Sequence, residues 1–236
     1  MQTDVSTLHF ADDFPRHAAA FLREEIQRAI DARGLCRLAL SGGGTPRAIH
    51  EQLAILGADL PWDHVQITFG DERCVPPDHA ESNYRMARES LLDRVPIPAG
   101  NIFRIRGEIA PEDAAREIES RLAAVAARCG EPRYVHDVLL LGVGDDGHTA
   151  SLFPGSPALD ETARNIIPAT GPKPPPQRIT MTFPLLNAAR HVCFLAAGAA
   201  KRPIIDAILA GDTRYPATRV RPALTTWLLG FAKDEG

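Results

Sequence analysis

Cysteine is scarce in this chain: four residues among 236, at Cys36, Cys74, Cys129 and Cys193. None forms a CxxC pair or joins a His/Cys cluster, so neither a zinc site nor a redox dithiol is suggested. Cys36 and Cys193 sit in apolar, strand-like runs and are expected to be core thiols. Nothing local marks Cys74 as a nucleophile. Positive charge is in deficit, with a net charge of −4. That balance argues against nucleic acid or a membrane surface as the default partner, and any positive patch must be local. No apolar run approaches the ~18 residues of a membrane span. The stretch from Met1 to Phe10 lacks the basic start and long apolar core of a signal peptide. A cytoplasmic protein is the simplest expectation.

Several catalytic signatures are missing too. There is no GxSxG nucleophile elbow, which leaves acyl-enzyme hydrolysis poorly supported. There is no HExxH or other dense ligand spacing for a catalytic metal. The glycine-rich stretch is neither GxGxxG nor a P-loop ending in Lys-Ser/Thr, so a nucleotide is not indicated.

What remains is an ordinary globular composition, 44% hydrophobic and 24% charged. Without an internal repeat or a dividing linker, residues 1–236 read as one domain. Strands are expected at residues 36–40, 65–69, 101–105, 138–143, 179–183, 191–197 and 224–229. Helical stripes fall between them. Ala18, Phe21, Leu22, Ile26 and Ala29 form one, with Asp12 or Asp13 as its cap. Ile49, Leu53 and Leu56 form a second, with Thr45 as N-cap, Pro46 at the first helical position and Gly57 at the C-terminal cap. Others run through Tyr84, Ala87, Leu91 and Val95, through Ala115, Ile118, Leu122 and Val125 after Pro111, and over residues 203–210. Regular alternation of this kind predicts an α/β fold with a mostly parallel sheet covered by helices on both faces. The proline-rich run from Gly171 to Gln177 reads as a stiff connector.

Polar residues gather where these strands end. The run Gly144-Asp145-Asp146-Gly147-His148 follows the apolar strand at 138–143. Histidine takes up a proton near neutral pH, and either neighbouring aspartate can orient or charge-stabilise it. Ser41, Gly42, Gly43, Gly44 and Thr45 join a strand to a helix N-terminus, where glycines admit a ligand and exposed amides favour an anion. Asp71, Glu72 and Arg73 follow the strand at 65–69, and Lys201 follows that at 191–197. If the strands are parallel, all four clusters lie at one edge of the sheet, where such folds bind ligands. Arg73 and Lys201 suit a phosphate dianion, with Arg178 a third cation. A lone histidine beside an aspartate suits activation of water or proton transfer on a sugar.

These blocks carry a resemblance. Residues 40–46, 70–76, 82–84, 142–154, 178–182 and 198–201 resemble, in the same order, the short single-domain 6-phosphogluconolactonases. The ending Ser151-Leu152-Phe153-Pro154 after Asp-Gly-His is the most discriminating piece. The resemblance implies a Rossmann-like three-layer α/β/α sandwich shared with glucosamine-6-phosphate deaminases. It implies hydrolysis of 6-phospho-D-glucono-1,5-lactone without metal or organic cofactor, with a small sugar-phosphate lactone as the only partner. Carried over by motif, His148 is the general base, with Asp146 the better candidate than Asp145 to orient it. Arg73 and Lys201 hold the phosphate, the Ser41 to Thr45 loop and Asp71 line the same pocket, and Arg178 is borrowed from the deaminases. A monomer or weak homodimer is expected. The rival reading is a deaminase or isomerase on the same scaffold; those enzymes place a glutamate five residues after the histidine, where this chain has Phe153. A non-catalytic sugar-phosphate sensor is a second rival, disfavoured because no basic helix-turn-helix precedes Cys36.

Overall fold

The computed structural model describes residues 4–10 and 12–232. Its elements are β1 (Asp4–His9), α1 (Phe14–Arg33), β2 (Cys36–Leu40), α2 (Gly44–Leu56), β3 (Val65–Phe69), β4 (Asp71–Arg73), α3 (Asn83–Ser90), α4 (Pro111–Arg128), β5 (Val138–Gly142), β6 (Ile166–Thr170), β7 (Gln177–Met181), α5 (Phe183–Leu186), β8 (His191–Ala197), α6 (Arg202–Leu209) and β9 (Leu224–Gly230). Six strands form the central sheet in the order β1-β9-β8-β5-β2-β3, every neighbouring pair parallel. The inner strands are buried along nearly their whole length, which is why they read as unbroken apolar runs.

The order of the strands fixes where a ligand can sit. From β2 the chain steps to β3 on one side, then returns to place β5 on the other. The loops after β2 and β5 therefore diverge and leave a crevice between them. α1 and α2 pack side by side and belong to crossovers running one way across the sheet. α4 and α6 belong to crossovers running the other way, so right-handed connections put them on the opposite face.

A second, antiparallel sheet stands apart, in the order β4-β7-β6. It changes two expectations. Asp71–Arg73 is itself a short strand rather than a loop after β3, and the strand expected at 179–183 runs instead over Gln177–Met181, with Arg178 inside it. The expected strand at 101–105 is absent. Ile102 makes one bridge to Ile67 and Phe103 donates to the Ile67 carbonyl. Only every second residue there, Phe103 and Ile105, is buried, and the chain leaves the sheet after one contact. α2 begins at Gly44 with Gly43 as its N-cap, so Thr45 lies in the first turn and is not the cap. The α-helix at Tyr84 stops at Ser90, and Leu92–Arg94 forms a separate 3-10 turn. No helix among the described residues is long and apolar enough to cross a membrane.

Candidate active site

The crevice between the β2 and β5 loops opens into a cleft of about 590 Å³. All eleven residues selected from the sequence line it: Ser41, Gly42, Gly43, Gly44, Thr45, Asp71, Arg73, Asp146, His148, Arg178 and Lys201. A wider groove of about 960 Å³ adjoins it along Asp146, Phe153 and Pro172, but no lysine or arginine lines that groove. The chemistry available to an anion lies in the smaller cleft.

On one wall the turn after β5 presents the imidazole. Gly147 takes a left-handed φ of 80° and donates to the Gly144 carbonyl at 3.0 Å, while the Gly144 N–H donates to the His148 carbonyl at 2.8 Å. This closed turn lays the imidazole across Gly144, where a Cβ would come within 2.1 Å of Nδ1. Only glycine fits there. Asp146 Oδ1 pairs with His148 Nδ1 in a short contact and also accepts the His148 backbone N–H at 3.2 Å. Burial pushes the Asp146 carboxyl up, but the bonds from His148 outweigh it and hold the group below its ordinary range. Phe153 packs on the ring at 4.6 Å between centroids.

The two aspartates divide the work. Asp145 is mostly exposed and pairs with Lys201 Nζ at 2.6 Å, and that partner holds its carboxyl below the usual range. The same Nζ donates to the Val143 carbonyl at 2.7 Å. Lys201 is thus fastened to the β5 loop, on the same wall as His148.

Opposite lies the second sheet. Arg73 and Arg178 are register partners across β4 and β7. Arg73 Nη1 donates to the Glu81 carbonyl at 2.7 Å, and Arg178 Nη2 to the Lys173 carbonyl at 3.3 Å. The Nε–H of each is buried without a partner. Burial and the neighbouring Arg73 charge pull Arg178 below its ordinary range. Two like charges beside each other, with orphaned donors, are satisfied by an anion. The floor between the walls is the start of α2. Gly43, at φ 105°, makes no side-chain cap, so the first-turn amides keep free N–H groups and the positive end of the helix dipole.

Several participants carried no assigned role in the sequence reading. Glu72 is buried and accepts from the N–H groups of Arg73, Asn83 and Tyr84 at 2.7–2.8 Å and from the Ser82 hydroxyl at 3.2 Å. It holds the start of α3, although burial still raises its pKa. Asn83, Ser151 and Thr180 are buried beside the cleft. Lys173 lines it from the β6–β7 loop.

This arrangement defines a class: an α/β protein with an aspartate-tethered histidine facing paired arginines at the switch point of a parallel sheet. Residues 10–228 match the family described as Glucosamine-6-phosphate isomerases/6-phosphogluconolactonase, and the chain belongs to it. The 6-phosphogluconolactonase of Synechocystis is 44% identical over 209 residues, covering 86% of this chain and 85% of its own. That of Homo sapiens is 42% identical over 197 residues, covering 81% and 76%. The solved 6-phosphogluconolactonase from Thermotoga maritima superposes with a TM-score of 0.84 at 28% identity, over 96% of this chain and 99% of that one. These relatives place the chain on the 6-phosphogluconolactonase side of the family.

Proposed function

We propose that this protein hydrolyses 6-phospho-D-glucono-1,5-lactone to 6-phospho-D-gluconate, with His148 as general base and without a metal. The observation that carries the reading is the pairing of Asp146 with His148 Nδ1. With Nδ1–H directed at the carboxylate, the lone pair sits on Nε2, the nitrogen left to act on a ligand.

In this mechanism Nε2 takes a proton from water as the water oxygen attacks the lactone carbonyl. The carbonyl electron pair moves to oxygen and gives a tetrahedral oxyanion. Amides of the Gly42 to Thr45 loop are the available donors to negative charge in the cleft. When the C1–ring oxygen bond breaks, the imidazolium returns its proton to the ring oxygen, which becomes a hydroxyl. The new carboxylic acid then ionises and releases one proton to solvent. Asp146 steadies the imidazolium without taking the proton. Arg73 and Arg178 supply charge-assisted bonds to the phosphate, with Lys201 on the facing wall.

Deamination of glucosamine 6-phosphate fits less well. The position that would supply a further carboxylate is Phe153, whose ring packs on His148 instead. The test is an assay with freshly prepared 6-phosphogluconolactone, following acid release above the spontaneous rate, with glucosamine 6-phosphate and unphosphorylated gluconolactone alongside. The phosphorylated lactone should be hydrolysed far faster than either. Ammonia release from glucosamine 6-phosphate, or equal rates on both lactones, would overturn the reading.

A further inference from the structure

We infer that Ser151, gripped by Asp71 and Thr180, is the pin that sets the distance between His148 and the Arg73–Arg178 pair. The inference rests on the proposed lactonase reading and adds to it the residues that register the base against the anchored substrate.

The base and the anchor belong to different sheets. His148 rides on the loop after β5 of the parallel sheet, whereas the two arginines ride on β4 and β7 of the antiparallel one. Side chains alternate along a strand, so Asp71 and Arg73 share a face of β4. Their register partners on β7 are Thr180 and Arg178. One face of this small sheet therefore presents the arginines and, a step along, Asp71 and Thr180.

That second pair takes hold of the His148 turn. The Ser151 hydroxyl donates to Asp71 Oδ2 at 2.5 Å, and the Ser151 N–H donates to Thr180 Oγ1 at 3.1 Å. Ser151 is 1% exposed and Thr180 0%. Between His148 and Ser151 the chain makes a tight turn, with Thr149 and Leu152 bridged and Ala150 at φ 48°. A non-glycine residue in that region persists only where its surroundings hold it, and here Ser151 is held at both its N–H and its hydroxyl.

The grip extends further. Asp71 Oδ1 accepts from Asn83 Nδ2 at 3.1 Å, and the same nitrogen donates to the Asp71 carbonyl at 2.9 Å. The Asn83 amide lies against Gly42, where a Cβ would come within 2.0 Å of its oxygen. A continuous set of contacts thus runs from the His148 turn through Ser151, Asp71 and Asn83 to the glycine loop. The family resemblance implies that Asp71 lines the substrate pocket. Both of its carboxylate oxygens are engaged by buried partners, so its part is positioning, exerted through Ser151.

Misplacing a base by about 1 Å can cost about 10²-fold in rate. Ser151→Ala should therefore lower kcat about 10- to 100-fold while KM, set by the arginines and the glycine loop, changes little. Asp71→Ala should lose at least as much, because it also frees Asn83, and the double variant should be no worse than Asp71→Ala alone, because Ser151→Ala cuts a link that Asp71→Ala has already cut. Asp71→Asn keeps one acceptor for Asn83 and offers an N–H that the Ser151 oxygen can accept, so it should lose less than Asp71→Ala. Circular dichroism at the assay temperature confirms that each variant is folded; if Ser151→Ala is not, Thr180→Val cuts the other bond and should give the same split. Wild-type turnover with Ser151→Ala unchanged would overturn the inference, as would multiplying losses in the double variant or an equal loss in Asp71→Asn. A wild-type protein that leaves the lactone to hydrolyse spontaneously would instead sink the functional reading itself.

Discussion

His148 has three neighbours that do different jobs: Asp146 pairs with Nδ1, Gly144 leaves room for the ring, and Phe153 covers a face. His148→Ala should lower kcat by about 10²–10⁴-fold with a modest change in KM. Steady-state kinetics showing near-normal turnover would remove it from the mechanism. Gly144→Ala tests the geometry without removing a polar group. The added methyl would overlap the imidazole, so activity should collapse while the melting temperature moves little. On the proposed reading, Arg73→Ala and Arg178→Ala should act mainly on KM, each removing a charge-assisted partner of the phosphate. At this scale the sequence was generous. Asp and His two residues apart beside glycines announce a turn and a titratable pair. What it could not announce was that Asp145 turns away to Lys201, since that choice depends on a side chain more than fifty positions further along.

The elements were legible where burial writes itself into consecutive residues. β2, β3, β5, β8 and β9 are apolar because both of their faces are covered. β1 went unseen because it is an edge strand whose side chains are largely exposed, so it carries no apolar run. β6 contains Pro168, a residue that argues against a strand unless it lies at an edge, and β6 is an edge of its sheet. β4 has only three residues, too few for any period to show. The facing of Arg73 and Arg178 comes from cross-strand register, which no local pattern encodes. The start of α3 offers a test at this level. Glu72 gathers three backbone N–H groups and a hydroxyl, and removing it strands those donors in a buried place. Glu72→Ala should therefore destabilise the fold by on the order of 3 kcal/mol, measured by urea unfolding, and should loosen Asn83 with it. A shift in midpoint within error would show that water replaces the carboxylate.

For the molecule as a whole, acid sensitivity is built into two buried histidines. His50 and His136 are fully buried, and burial pulls them down to about 4 and about 3 from an ordinary value of 6.5. Above pH 6.5 neither the folded nor the unfolded chain protonates them, and they add no pH dependence. As pH falls below that value the unfolded chain binds protons that the folded chain refuses, so stability is lost progressively until the folded values are reached. Each should cost about 2 kcal/mol by pH 5. Urea midpoints at pH 7 and pH 5 check this, and His50→Gln should flatten part of the slope; equal midpoints at the two values would contradict it. A different load is carried by Arg73 and Arg178. Two guanidinium groups set side by side on a small sheet push against each other, and the carboxylate paired with Arg73, that of Glu81 at 3.4 Å, is half exposed and offsets the repulsion only in part. The cleft is therefore a compressed spring as well as a binding place, and a dianion would release it. Inorganic phosphate at constant ionic strength should raise the melting temperature of the wild-type protein and do so less in Arg73→Gln, the result expected if the proposed substrate's own charge helps to hold the two sheets together.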